Sequence, residues 1–276
     1  MSYLATKDEY DYFNRWVKRI KDRLLVKNQN WLGSIIGGTG SGKTYASLSI
    51  AKELVGDGFD VSKYVVFNAK QFMNVLTSDY IKAGDMIIWD EAGVGMSSKD
   101  WYSLQNKLIN YVFQTFRHRN IAVLFTMPAM KFLDNSARLL MHANLETVKI
   151  HRQYNLNQVK VFDVEYNNRI DKVFYKFPVF KDEDGNSATL KYLYIKKPCA
   201  KDVKTYEAMK EKYTSKLNAD ILATLDQEKK QEVKPQACPM CLSSYWRYSK
   251  REGIFECRKC GHTQTNSPYV RETPTS

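Results

Sequence analysis

An α/β fold built on a mostly parallel sheet is what this 276-residue chain predicts, on three observations. Short apolar runs at Trp31 to Ile36, Tyr64 to Phe67, Met86 to Trp89 and Ile121 to Thr126 alternate with stretches of helical period, as strand-helix-strand units do. The first run leads straight into GGTGSGKT, Gly37 to Thr44, and then into the helix-forming TYASLSIAKEL. The third ends in Asp90-Glu91, two carboxylates at the C-terminal edge of a strand, where sheets of this class bind their ligands.

The run GGTGSGKT has the form GxxxxGK[ST]. In that pattern backbone N–H groups curl round phosphate oxygens, and the following helix turns its positive end toward them. Gly37, Gly40 and Gly42 allow backbone angles and a close approach that a Cβ would block. Gly38, Thr39 and Ser41 complete the cradle and Tyr45 follows it. Lys43 is expected to reach the β- and γ-phosphates, and Thr44 to offer its hydroxyl to Mg2+. Asp90 is expected to hold the same ion, usually through water, and Glu91 to orient and polarise the water that attacks the γ-phosphate. Strand-end carboxylates by themselves are often turn formers; beside this loop they read as a site. DEAG also fits the DxxG of GTPases, but no NKxD element follows to read guanine, so the nucleotide is expected to be ATP.

The formal charge of +12 and pI near 9.3 favour a polyanionic partner, and 43% hydrophobic residues suffice for a packed core. The start MSYLATKDEYDYF lacks the basic and apolar regions of a secretory signal, and no apolar run approaches the roughly 18 residues that cross a bilayer. The expectation is a soluble cytoplasmic protein with no membrane partner. Four of the five cysteines form two CxxC pairs near the C-terminus, and Cys199 reads as a half-buried bystander.

Residues 8 to 27 carry Tyr10, Phe13, Trp16, Val17, Ile20 and Leu24 at helical spacing, with Lys and Arg on the other face. A helix is expected to run from the loop to about Val55, another over 101 to 116, and a third around Ser136 to Met141, before LETVKI completes a five-stranded parallel core by residue 150. Beyond it QVKVFDVEY, KVFYKFPVF and TLKYLYI alternate as half-buried strands do, predicting an antiparallel extension of the sheet or a small meander. Residues 201 to 230 form a charged helix with Tyr206, Met209, Tyr213, Leu217, Ile221 and Leu225 on one side, packed on the main domain or on a neighbouring subunit. The expected division is 1–198 for the nucleotide domain, 199–236 for a helical connector and linker, and 237–276 for a small module and tail.

In this order GGTGSGKTYASL, IIWDEAG and QTFRHRNIAVLFTMP resemble the HerA/FtsK group of P-loop ATPases, and within it the archaeal and viral Zot-like or packaging-type ATPases, over roughly residues 30 to 150. The resemblance implies a RecA/ASCE-type sheet in which one strand lies between the loop strand and the Asp-Glu strand, its end placing Thr126 as a sensor beside the γ-phosphate. It also implies a homo-oligomeric ring, often hexameric, that pumps or remodels double-stranded DNA. An arginine from one subunit would complete its neighbour's site; Arg117 and Arg119 are the candidates, with Arg138 a third. Two features depart from the group. Thr126 stands where members commonly carry Gln, and no run of this sequence is expected to serve as the membrane anchor that Zot proteins proper carry.

Cys238-Pro-Met-Cys241 and Cys257-Arg-Lys-Cys260, fifteen residues apart, have the spacing of a zinc ribbon. Four thiolates close a tetrahedral shell, so Zn2+ there would be structural and would supply folding energy to a module too small for its own core. Tyr245, Trp246, Arg247, Tyr248, Lys250 and Arg251, with Arg258 and Lys259, could stack bases and contact phosphates; a protein-facing ribbon is the alternative. Two functions follow. One is a Mg2+-dependent ATPase that translocates or packages DNA; the other is an ATP-gated nucleic-acid-binding switch or loader with little turnover. A small-molecule kinase would need an acceptor or lid element, and none is recognisable.

Overall fold

Trp31–Ile36 (β1) reads WLGSII and is buried nearly throughout, as a strand covered on both faces by helices must be. The computed structural model describes residues 7–91, 119–133, 135–181, 185–230 and 236–268. The helix expected over 101–116, Arg117, His118 and the tail beyond 268 lie outside them. The chain divides into two compact units, Met1–Tyr213 and Thr214–Ser276.

The first unit begins with α1 (Lys7–Leu25), whose Phe13, Trp16, Val17, Ile20 and Leu24 fall on one face and are buried. Trp16 meets Trp31 of β1 edge-on, ring centroids 5.9 Å apart. Replacing Trp16 with Ala is expected to cost about 3–5 kcal/mol, read as a lowered midpoint in chemical denaturation of the first unit. After β1 come α2 (Lys43–Val55), a short α3 (Val61–Tyr64), β2 (Val65–Val66), α4 (Ala69–Leu76), β3 (Met86–Trp89), β4 (Ala122–Met127), α5 (Asn135–Leu139) and β5 (Ala143–His151). β2 is shorter than the sequence predicts, because Asp60 caps α3 and carries Tyr64 into its last turn.

The sheet is mixed, with a mostly parallel centre. Strands β2, β3, β4, β1 and β5 lie side by side and parallel, with β4 between β1 and β3. β6 (Leu156–Asn167) returns antiparallel to β5, and β10 (Tyr192–Lys196) and β7 (Lys172–Lys176) pair with successive lengths of β6. The run KVFYKFPVF is broken at Pro178, which has no N–H for a ladder; Val179–Lys181 (β8) forms a separate hairpin with Ser187–Thr189 (β9). The long α6 (Ala200–Lys230) follows, and its stretch up to Tyr213 belongs to the first unit. Cys199, just before it, is exposed rather than half-buried.

In the second unit β11 (Trp246–Ser249), β12 (Ile254–Cys257) and β13 (Thr263–Gln264) form a three-stranded antiparallel sheet. Its core is Cys238, Trp246 and Cys257, with Cys241 and Phe255 against them. Among the described residues no helix is long and apolar enough to cross a membrane.

Candidate functional site

The loop between β1 and α2 is held from the β5–β6 hairpin. Thr147 donates its hydroxyl to Ser41 Oγ at 2.7 Å, and Asn157 Nδ2 donates to the Gly42 carbonyl at 3.1 Å. A bulge between Thr147 and Lys149 breaks the register of β5 next to this brace. Gly42 has φ +87°, and a Cβ there would meet Asn157 Nδ2 at 2.5 Å. At Gly37 a Cβ would collide with Thr147 Oγ1. Glycine at these two positions is therefore required by both conformation and space. Neither Thr147 nor Asn157 stands out in the sequence, since they lie over a hundred residues from the loop and carry no motif.

Lys43 folds back onto the loop, donating to the carbonyls of Gly37 and Gly38 at 2.8 Å each. Burial lowers its pKa, although Asp90 and Glu91 pull the other way. Thr44 donates its hydroxyl to Asp90 Oδ1 at 2.8 Å, so the loop helix and the end of β3 converge on one carboxylate. Asp90 is fully buried, and Thr126 at the end of β4 also donates to its Oδ1 at 2.8 Å. Thr126 in turn accepts the Glu91 N–H at 2.8 Å. Its hydroxyl is engaged on both sides and fully buried, and it braces the two acids against each other. Glu91 has φ +50°, a left-handed conformation that costs a non-glycine residue on the order of 1–3 kcal/mol and concentrates at functional sites.

The second oxygen of Asp90 is taken up by α6. Tyr206 donates its phenol to Oδ2 at 2.7 Å, and the Lys210 ammonium lies 3.2 Å from Oδ2 and 2.7 Å from Glu91 Oε2. Burial, and then the Asp90 charge, push the Tyr206 pKa far above the ordinary phenol value, so it stays a donor. The oxygens of Thr44 and Asp90 are hard ligands of the kind Mg2+ takes alongside phosphate and water, and they fit such an ion.

Of the candidate arginines, the two among the described residues, Arg119 and Arg138, bond elsewhere. Arg119 lies just before the N-terminal end of β4, its guanidinium 3.5 Å from the Ser78 carbonyl, whereas the loop follows the C-terminal end of the parallel β1. Arg138 donates to the Leu133 carbonyl at 2.9 Å.

In the second unit the sulfurs of Cys238, Cys241, Cys257 and Cys260 all lie within 4.8 Å of one another. The pairs Cys238–Cys260 and Cys241–Cys257 are 3.6 and 3.5 Å apart. Tetrahedral zinc with about 2.3 Å bonds separates its sulfurs by about 3.8 Å, so the cluster fits that metal. Desolvation would raise the Cys257 pKa, but the N–H groups of Lys259 and Cys260 and the thiols of Cys241 and Cys238 aimed at its sulfur together lower it. Trp246 is buried and donates its indole N–H to the Gln236 carbonyl at 2.8 Å, so it is core and not a stacking platform. Tyr245 and Tyr248 are the exposed aromatics of the stretch between the cysteine pairs.

No protein-family model and no curated protein matches the chain. Among solved structures, the N-terminal domain of zonular occludens toxin from Neisseria meningitidis overlaps 59% of this chain and 95% of its own, at 15% identity and a TM-score of 0.31. The DNA-packaging ATPase B204 of Sulfolobus turreted icosahedral virus overlaps 55% of this chain and 98% of its own, at 13% identity and a TM-score of 0.32. B204 of Sulfolobus turreted icosahedral virus 2, solved with AMPPCP, overlaps the same shares at 12% identity and a TM-score of 0.31.

Proposed function

We propose that the chain is a Mg2+-dependent P-loop ATPase of RecA/ASCE type that translocates or packages double-stranded DNA as a ring oligomer, with a zinc ribbon as its C-terminal module. The observation that carries this reading is the convergence of Thr44 and Asp90 at 2.8 Å beside the glycine-rich loop, with Glu91 one residue on. Gly37 to Tyr45 would cradle the triphosphate, with Lys43 leaving the loop carbonyls for the β- and γ-phosphates. Thr44 and Asp90 would hold magnesium, which when bound neutralises phosphate charge. Thr126 fixes Asp90 and Glu91 relative to each other, and Glu91 takes the proton of the attacking water. Phosphoryl transfer is mostly positioning and charge, so this small set suffices, with Arg117 or Arg119 offered to a neighbouring subunit.

DNA as the cargo is supported by the net charge of +12 and by the exposed Tyr245 and Tyr248 among basic residues of the cysteine module. Four thiolates without an open position make Zn2+ structural. A second reading, the ATP-gated loader with little turnover, draws support from the Lys210 to Glu91 pair, which occupies the proposed base.

Steady-state ATP hydrolysis with and without double-stranded DNA separates the two. The motor is expected to be stimulated by DNA in a salt-dependent way. DNA binding that responds to nucleotide while turnover stays negligible would favour the loader, and turnover indifferent to DNA would count against both.

A further inference from the structure

The first turns of α6 carry Tyr206, Glu207, Lys210 and Tyr213 against Tyr45, Phe67 and the Asp90-Glu91 pair of the proposed nucleotide site. Glu207 accepts the Tyr45 phenol at 2.9 Å, immediately after the loop. Tyr206 and Lys210 engage the acids, and Tyr213 stacks on Phe67 with centroids 5.0 Å apart. The Lys210 ammonium also sits 5.2 Å from the centre of the Phe67 ring. The helix is thereby tied to the end of the loop, to the segment after β2 and to the end of β3.

The electrostatics of Asp90 give these contacts a purpose. A fully buried carboxylate needs compensation, and Lys210 is the cation within 4 Å of it among the described residues. Mg2+ would compensate the same charge. A divalent ion beside Asp90 Oδ1, where Thr44 points, and an ammonium on Asp90 Oδ2 and Glu91 Oε2 repel each other, and both draw on the charge of the one Asp90 carboxylate. The two states therefore compete.

We propose that Lys210, set in place by Tyr206, is a positioning residue that stands in for the metal at Asp90 and neutralises Glu91 until a magnesium-bound triphosphate displaces it. Loading the site then loosens the start of α6, and by reciprocity anything that pulls this helix away raises affinity for the magnesium-nucleotide complex. The inference rests on the nucleotide reading above and adds an internal competitor to it.

Calorimetry with AMPPCP, with magnesium and with EDTA, tests it together with hydrogen exchange over residues 203–213 in the full chain. In the wild type, amides of 203–213 are expected to exchange faster with Mg·AMPPCP and to stay unchanged with AMPPCP in EDTA. Lys210→Met is expected to bind Mg·AMPPCP more tightly by roughly 5- to 150-fold, with metal-free affinity little altered, and Lys210→Arg to restore wild-type behaviour. Because Lys210→Met leaves Asp90 uncompensated and could weaken folding, the wild-type exchange result stands as an independent test. Helix protection that is unchanged or increased by Mg·AMPPCP would overturn the proposal, as would a Lys210→Met protein that folds but shows the same magnesium dependence. Failure of the wild type to bind AMPPCP at all would instead overturn the nucleotide reading.

Discussion

Glu91→Gln is expected to cut steady-state ATP turnover by about 10²- to 10⁴-fold, about 3–5 kcal/mol of transition-state stabilisation, while AMPPCP affinity changes by no more than a few-fold. Glutamine keeps the size of the side chain and the backbone bond from the Glu91 N–H to Thr126, so φ +50° is held as before. What it loses is the ability to take a proton. A carboxylate positioned in a strained conformation by a buried hydroxyl is built for direction rather than for stability. Initial rates at saturating Mg·ATP, paired with AMPPCP calorimetry, check this. Undiminished turnover would remove Glu91 from the reaction, and a parallel loss of binding would mean that the substitution had damaged the loop instead.

Much of this site is legible in the chain because its chemistry is local. GGTGSGKT lies in one stretch, and Asp90-Glu91 is marked by the four buried apolar residues before it. The placement of β4 between β1 and β3 is what the resemblance carried by the motifs implied, and strand order along the chain alone does not give it. The braces were not. Thr147, Asn157, Tyr206 and Lys210 act only because the hairpin and α6 return to the loop after more than a hundred residues, and pairing at that distance leaves no period or spacing behind. The amphipathic stripe of α6 was visible, including Tyr206, but a stripe says that a face is covered and not by what. Trp246 shows the opposite error. Its basic and aromatic neighbours suggest a stacking surface, yet a module with one small core must bury its largest side chain.

Metal removal should have the other large effect, and it should be confined to one unit. The second unit has as its core Cys238, Trp246 and Cys257, with Cys241 and Phe255 half-covered, so three of the five packed residues are themselves proposed zinc ligands. Without metal these thiols leave little apolar packing to oppose the chain entropy of residues 236–268. Structural zinc sites of this kind hold their ion with on the order of 10–16 kcal/mol, which in such modules is folding free energy. Chelation, or Cys257→Ser, is therefore expected to bring the amides of 236–268 to the exchange rates of unfolded chain. Those of the first unit should stay protected, because its sheet and α1 have their own buried core. AMPPCP binding should persist through the same treatment, since the loop, Asp90 and the helix up to Tyr213 all belong to the first unit. Protection of 236–268 that survives verified metal loss would show that the thiols pack without an ion. Loss of AMPPCP affinity in the Cys257→Ser protein with magnesium in excess would show that the cysteine module contributes to the proposed nucleotide site.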